Sequence, residues 1–600
     1  MDATAAQARI HAALSKASAT LLAERTVAGH WRGELSASAL STATAVVALS
    51  VCDREAHAAL IRGGAQWLAT HQNSDGGWGD TTRSHSNIST TALCWAAFSA
   101  ARADGDFPPV VARAGAWLSH AAGSLEPERL AAAITARYGK DRTFSVPILM
   151  TLAIAGRLGS DGWRLIPALP FELAALPPQV FGAMQLPVVS YALPALIAIG
   201  QVIHHHAPSR NPLLRLIRRV ARGRTLSVLD AIQPPNGGYL EATPLTSFVT
   251  MSLGAMGLGG HSVVQRALRF LKESARPDGS WPIDTDLATW VTTLSVKALA
   301  HQPQWASEEE RNKICAWLLD QQFERLHPYT QAAPGGWAWT DLPGGVPDAD
   351  DTAGALLALL KLGPVRGAVL RAGVAGCRWL IDLQNRDGGM PTFCRGWGAL
   401  PFDRSTPDLT AHALRAWVGW MPHLSLALRH EAAQAVERGL LYLSRVQRAD
   451  GAWLPLWFGN QHVTDDENPV YGTAMVLMAL RELQDGGIEV PSAMCGAAAA
   501  WLERAQDAGG GWGGGAGAPV SVEETALAVE ALVAFRPEAA RAGALWLADR
   551  VEDGTWTQPA PVGFYFAKLW YFERLYPQLF TVGALGRAEA LQLRPGDHGG

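Results

Sequence analysis

Six cysteines in 600 residues, none in a CxxC pair, give no basis for a disulfide framework or a cysteine-rich zinc site. They are scattered (Cys52, Cys94, Cys315, Cys377, Cys394 and Cys495), which fits a reducing compartment. Charge is scarce too: Asp, Glu, Lys and Arg make up 17% of the chain, and the net charge of -4 gives no reason to expect a nucleic-acid partner. No unbroken apolar run reaches the length of a membrane span. The nearest, Leu186 to Ile203, is interrupted by Pro187 and Pro194 and predicts buried helices. The first residues, MDATAAQARIHAALSKASATLL, predict an Ala-rich amphipathic helix and lack the apolar segment and cleavage site of a signal peptide.

What the chain has in quantity is apolar material: 48% hydrophobic residues and 23 tryptophans. Its length predicts at least two domains with enough burial to enclose a cavity. An internal repeat dominates the pattern: a helix with a Trp-Leu pair, then Gln, then Asp-Gly or Gly-Gly and a tryptophan. It is seen in QWLATHQNSDGGWGD, RFLKESARPDGSWP, RWLIDLQNRDGGMP (with Met390 for the tryptophan), YLSRVQRADGAW, WLERAQDAGGGWGG and LWLADRVEDGTW. The glycine turn stops one helix, and the tryptophan is placed to cover the end of the next while its indole N–H finds a partner. After each turn comes a small-residue helix such as DTAGALLALL or ETALAVEALVAF. A period of roughly 50 to 60 residues suits a helix pair, and such pairs close into an α/α barrel with an inner and an outer ring.

Three further features carry charge. His204-His205-His206 point in different directions on a helix and have no carboxylate motif beside them, so they read as structural. Arg210, Arg215, Arg218, Arg219, Arg222 and Arg224 interleave with Leu213, Leu214, Leu216, Ile217 and Val220, a pattern suited either to an anionic lipid surface or to an ordinary solvated face. The third, GGWAWTDLPGGVPDADDTA, sets Asp348, Asp350 and Asp351 where a loop enters an apolar helix. Alone, such a cluster reads as a solvated N-cap favoured by free backbone N–H groups. Asp465-Asp466-Glu467 runs into Asn468-Pro469 and reads as a turn, not a metal motif.

With DADDTA set among these repeats, the chain resembles the squalene-hopene cyclase and oxidosqualene cyclase family of class II triterpene cyclases over nearly its whole length. The resemblance is strongest from Trp281 to Pro577. It implies an all-α fold of two α/α barrels, the second inserted after an N-terminal helix: residues 1–30 with 286–600 forming the catalytic barrel, and 31–285 the other. It also implies protonation-initiated polycyclisation of squalene, with Asp350 as proton donor, Asp348 and Asp351 as its hydrogen-bonding supports, and His412 of PDLTAH as the partner that strengthens the acid. Asp408, four residues before His412, is placed to orient the ring if the segment is helical. Trp339, Trp290, Trp457 and Tyr471 correspond to cavity aromatics, as do Tyr191, Tyr565 and Phe572.

The departures are Val291 after Trp290, Leu569 in place of a tyrosine, Pro561 near a missing phenylalanine, and a shortened segment around Phe393-Cys394, where substrate would enter. They leave product skeleton and terminating group open. No cofactor or metal is implied. The expected partners are an apolar polyprene and a membrane surface, with peripheral attachment to the cytoplasmic side of the inner membrane, and a homodimer remains open. Other readings are a cyclase of another polyprene (a shorter prenyl chain, a prenyl diphosphate or an onoceroid-type substrate), a protein prenyltransferase β subunit, whose zinc site the cysteines do not match, and a lipid carrier, which has no use for buried carboxylates.

Overall fold

The computed structural model describes residues 3–139, 141–177, 193–393, 401–564 and 567–592. Helices dominate, joined by short turns and two small antiparallel strand pairs, Ala37–Ser38 with Trp281–Pro282 and Val562–Phe564 with Leu569–Tyr571. No helix among the described residues is long and apolar enough to cross a membrane.

Two cores account for most of the buried apolar residues. In the larger, helices Ala288–Leu299, Ala349–Leu362, Pro407–Trp420, Pro469–Asp485, Val522–Leu532 and Tyr576–Gln592 pack each against the next, and the last returns to the first to close a ring. Helices Glu308–Asp320, Gly367–Leu383, Leu426–Val446, Ser492–Arg504 and Pro537–Asp553 lie outside it. The N-terminal helix Ala3–Ala23 completes this outer layer by packing on Tyr576–Gln592 and Pro537–Asp553. The smaller core is a second α/α barrel, with Ala39–Asp53, Ile88–Ala101, Arg142–Ile154, Leu193–His206 and Thr243–Ala255 inside.

The repeat is a set of hydrogen bonds joining an outer helix to a neighbouring inner helix of the ring. The indole N–H of Trp31, Trp78, Trp281, Trp453 and Trp512 donates to the carbonyl ten residues earlier (Leu21, Leu68, Leu271, Leu443 and Leu502) at 2.7–2.9 Å. The tryptophan thus caps the preceding helix and not the next one, because that last turn has carbonyls with no helical partner. The link to the next helix runs through the backbone. Amides of Trp78, Trp281, Trp337, Trp453 and Trp512 donate to first-turn threonines, Thr91, Thr42, Thr352, Thr473 and Thr525, at 2.9–3.0 Å. Met390 keeps this bond, to Thr410 at 2.9 Å, without an indole.

The repeat glutamines Gln72, Gln233, Gln322, Gln384, Gln447 and Gln506 each donate through Nε2 to two carbonyls, one in their own turn and one on the following outer helix, at 2.8–3.1 Å. Glycine is required where these turns touch the next outer helix. Gly451 has φ +103°, and a Cβ there would sit 2.5 Å from the carbonyl of Ala497. Replacing Gln506 with Ala removes bonds to Gly510 and Ala539 together. Differential scanning calorimetry is expected to show a loss of about 1–2 kcal/mol, seen as a drop of about 1–3 °C in Tm.

Candidate active site

The repeat places the acid. Thr352, which receives the Trp337 amide, belongs to the DDT of DADDTA, so the clamp that joins the helices also fixes the start of helix Ala349–Leu362. Asp348 is the N-cap of that helix: its Oδ1 accepts the backbone N–H of Asp350 at 2.9 Å and of Asp351 at 2.8 Å. Asp348 and Asp351 serve Asp350 as a backbone cap and as a second buried acid, not as direct partners of its carboxyl group. Burial raises Asp348 to about 7, and the nearby Asp350 charge adds to this. Burial also lifts Asp351 well above the usual carboxylate range, with Asp348 and Asp350 adding to it.

Asp350 Oδ1 lies 2.6 Å from His412 Nδ1, and His412 Nε2 lies 3.3 Å from Lys297 Nζ. Burial pushes Asp350 up to about 7, opposed by the positive charge of Lys297. Burial, then Lys297 and Arg415, hold His412 well below its ordinary value, so the ring is neutral near neutral pH. Lys297, lowered to about 8 by burial and then Arg415, remains a cation there. An ammonium only donates, so it assigns Nε2 of His412 as acceptor and Nδ1–H as donor to Asp350 Oδ1. The Asp350 proton is thereby confined to Oδ2, the other carboxyl oxygen. Asp408 takes no part in orienting the ring: its buried carboxylate accepts the hydroxyl of Thr406 instead.

Two cavities lie on either side of Trp290 near this acid. One, of about 360 Å³, is almost wholly apolar and is bordered by Asp350, Trp290, Trp339, Phe393, Trp457 and Tyr571. The Asp350 side chain is 18% accessible, while His412 is fully buried behind it. The second cavity, of about 510 Å³, is more polar than the first and borders Lys297, His301, Arg415, Glu482, Glu530 and Arg587. Trp290 separates the two; it meets His412 edge-on at 6.2 Å and donates to Tyr576 Oη at 3.0 Å.

Of the aromatics expected at the site, Trp290, Trp339 and Trp457 line the apolar cavity. Tyr471 sits one layer back, stacked on Phe458 at 4.4 Å and bordering the polar cavity. Phe572 does not reach the apolar cavity. Its ring lies under the Arg83 guanidinium at 5.7 Å, and Tyr571 and Tyr576 face the cavity in its place. The strand Leu569–Tyr571 ends just before it, so alternation gives the inward position to Tyr571. Tyr191, Tyr565 and Cys394 fall outside the described residues.

Sequence reasoning missed Lys297, Phe402, Phe564, Tyr571 and Tyr576. For Lys297 a signal was present: the lone cation of helix Ala288–Leu299, seven residues after Trp290 and so on the same face. Phe393, noted before only as part of an entrance segment, packs between Trp339, Phe402 and Trp457 at 5.5–6.0 Å. Among the described residues, no three His, Cys, Asp or Glu side chains are placed to hold a metal ion.

Comparison with known proteins agrees with this architecture. The enfumafungin synthase of Hormonema carpetanum is 29% identical over 53% of this chain, which spans 26% of that protein's length. The squalene hopane cyclase of Aspergillus fumigatus is 25% identical over 81% of this chain and 75% of its own. The solved ent-copalyl diphosphate synthase from Streptomyces platensis shares the fold, with a TM-score of 0.55 and 19% identity over 98% of this chain and 99% of its own. Residues 14–216 match the squalene-hopene cyclase N-terminal domain and residues 287–590 the C-terminal domain, so the chain belongs to the squalene-hopene cyclase family.

Proposed function

We propose that the protein is a class II terpene cyclase that protonates a terminal alkene of a linear polyprene, squalene being the hydrocarbon its lining suits, and closes the chain into a hopene-like polycycle. In this reading residues 1–30 and 286–600 carry the chemistry, and 31–285 form the supporting barrel. The observation that carries it is a buried carboxyl group, Asp350, with its pKa raised to about 7, facing an apolar aromatic cavity with a histidine and a cation behind it.

An alkene is a very weak base, so its protonation needs an acid that stays loaded yet gains from losing its proton. Burial keeps Asp350 loaded. When its proton passes from Oδ2 to the alkene carbon, the new carboxylate is met by His412 Nδ1–H and by the Lys297 charge beyond, both already in place. The π electrons of the alkene form the new C–H bond, and the cation left on the neighbouring carbon is attacked by the next double bond. The faces of Trp290, Trp339, Trp457 and Phe393 stabilise such cations without offering a nucleophile. Loss of a proton or capture of water ends the series. The second cavity, bordered by the Lys297 that contacts His412, is suited to restoring the Asp350 proton.

We also place the protein at the cytoplasmic face of a membrane, as a peripheral protein. In support, helix Pro212–Ile232 exposes Leu213, Leu216, Ile217 and Val220 by 45–74%, while Arg218 turns inward to Glu172. Arg215, Arg219, Arg222 and Arg224 are exposed on the same helix, so apolar and cationic side chains share its surface.

Asp350→Asn is expected to lower squalene turnover at least about 100-fold, measured by gas chromatography of the hydrocarbons; full activity in the variant would remove Asp350 from the role. Because the donor works protonated and its pKa is raised to about 7, kcat is expected to fall as pH rises through about 7. Lys297→Met should move that fall to higher pH, since the lost cation was lowering Asp350, and reduce kcat roughly tenfold because the acid is weaker. Flotation with anionic liposomes should carry the protein upward, and Leu216→Glu with Val220→Glu should leave it at the bottom of the gradient.

A further inference from the structure

Part of the apolar cavity's wall is held from the other barrel. Phe564, Leu569 and Tyr571, on the strand pair Val562–Phe564 and Leu569–Tyr571, border the cavity. Between Leu569 and Tyr571 stands Trp570, whose backbone N–H donates to Oδ2 of Asp80 at 2.8 Å. Asp80 ends the first repeat turn, 490 residues earlier, and belongs to the 31–285 barrel. Its other oxygen, Oδ1, accepts Asn87 Nδ2–H at 3.0 Å and the Thr90 hydroxyl, both at the start of helix Ile88–Ala101. One carboxyl group therefore bridges an inner helix of one barrel and the cavity wall of the other.

The bridge is enclosed: Asp80, Thr90 and Trp570 are all buried. Burial raises the Asp80 pKa, and the bonds from Thr90, Asn87 and the Trp570 amide oppose that rise. Removing the carboxyl group would leave a buried strand N–H without an acceptor, a cost relieved by moving the strand. The segment after Asp80 follows the same hairpin. Arg83 donates to the carbonyl of Pro559 at 3.1 Å, and Gln461 joins the Arg83 carbonyl at 3.2 Å to the His85 amide at 3.0 Å. Those bonds lie at the surface, where water competes; that of Asp80 does not. Nor does the repeat itself need Asp80, since Trp78 already makes both of its clamp bonds, to Leu68 and Thr91.

We infer that Asp80 is a positioning residue for the cyclisation: from the supporting barrel it fixes the strand that carries Leu569 and Tyr571, and with it the number of rings that close. This rests on the cyclase reading and deepens it, because part of the product specificity then belongs to the 31–285 barrel. Rings close in series only while successive double bonds are held within reach of one another, and a wall displaced by about 1 Å is enough to spoil that alignment. A cation out of reach of the next double bond loses a proton to water and ends as an alkene with fewer rings.

The test uses the full-length protein with squalene and, in parallel, geranylgeraniol, and counts rings by gas chromatography with mass spectrometry. Asp80→Ala is expected to raise the share of incompletely cyclised products at least about fivefold and to raise KM. The fall of kcat through about pH 7 should stay in place, because Asp350, His412 and Lys297 are untouched. Asp80→Asn keeps a carbonyl oxygen for the Trp570 amide and should recover most of the wild-type pattern. Hydrogen exchange needs no turnover: the peptide containing Trp570 should exchange at least about tenfold faster in Asp80→Ala than in the wild type or Asp80→Asn. Asp80→Ser gives the same reading where Asp80→Ala does not fold, since one hydroxyl oxygen cannot bridge the two barrels. Gln506→Ala, which loosens a different repeat, should lower Tm and leave the product pattern as it was. Unchanged exchange at Trp570 overturns the inference. So does faster exchange with an unchanged product pattern, or a Gln506→Ala pattern that matches Asp80→Ala. If turnover survives Asp350→Asn, the cyclase reading fails; if Asp350→Asn is inactive and Asp80→Ala keeps the wild-type pattern, the positioning role fails and the cyclase reading stands.

Discussion

The bond between His412 and Asp350 is the contact on which the site depends, and its strength comes from what surrounds it. In water a carboxyl and an imidazole exchange protons freely. Here burial drives each toward its neutral form, and Lys297 supplies the positive charge one bond further away. The charge that favours proton loss from Asp350 is thereby kept out of the hydrocarbon cavity and placed at the edge of the second, more polar one. A cation directly against Asp350 would empty it before substrate arrived; no cation at all would leave it too weak.

That arrangement needs rigid walls, and the repeats supply them. Each clamp joins the last turn of an outer helix to the first turn of the next inner helix, so the inner helices begin at one end of the ring. Asp348 and Asp351 begin one such helix, and His412 lies in the second turn of its neighbour, Pro407–Trp420. Thr352 belongs both to a clamp and to the acid motif. The repeats are thus part of how the acid is aimed, besides holding the barrel closed.

The apolar cavity differs along its wall in how two of its carboxyl groups are surrounded. Asp350 faces it with donors behind; Asp284 faces it with other acids behind. Burial raises both, but Lys297 opposes the rise at Asp350 while Glu241 and Asp286 add to it at Asp284, so the same residue type is the stronger acid in the first place and the weaker in the second.

Much of this was legible in the chain. The Gln, Gly and Trp of each repeat mark helix ends, and their spacing predicts paired helices and a barrel. DADDTA and PDLTAH each predict a helix start with its carboxylate or histidine near it. Those readings rest on local rules of capping and periodicity, which operate within a few turns. Other features depended on contacts between residues far apart. Asp408 is one turn from His412 yet bonds elsewhere, and Phe572 gives its inward place to Tyr571 by strand register. Lys297 matters because it meets a ring 115 residues away. Asp284 gains its character from Trp339, Glu241 and Asp286. The sequence by itself determined the helices, the barrel and where the acid stands; only the tertiary structure decided what stands behind each acid, because desolvation and charge act through space, and closing the barrel is what sets those distances.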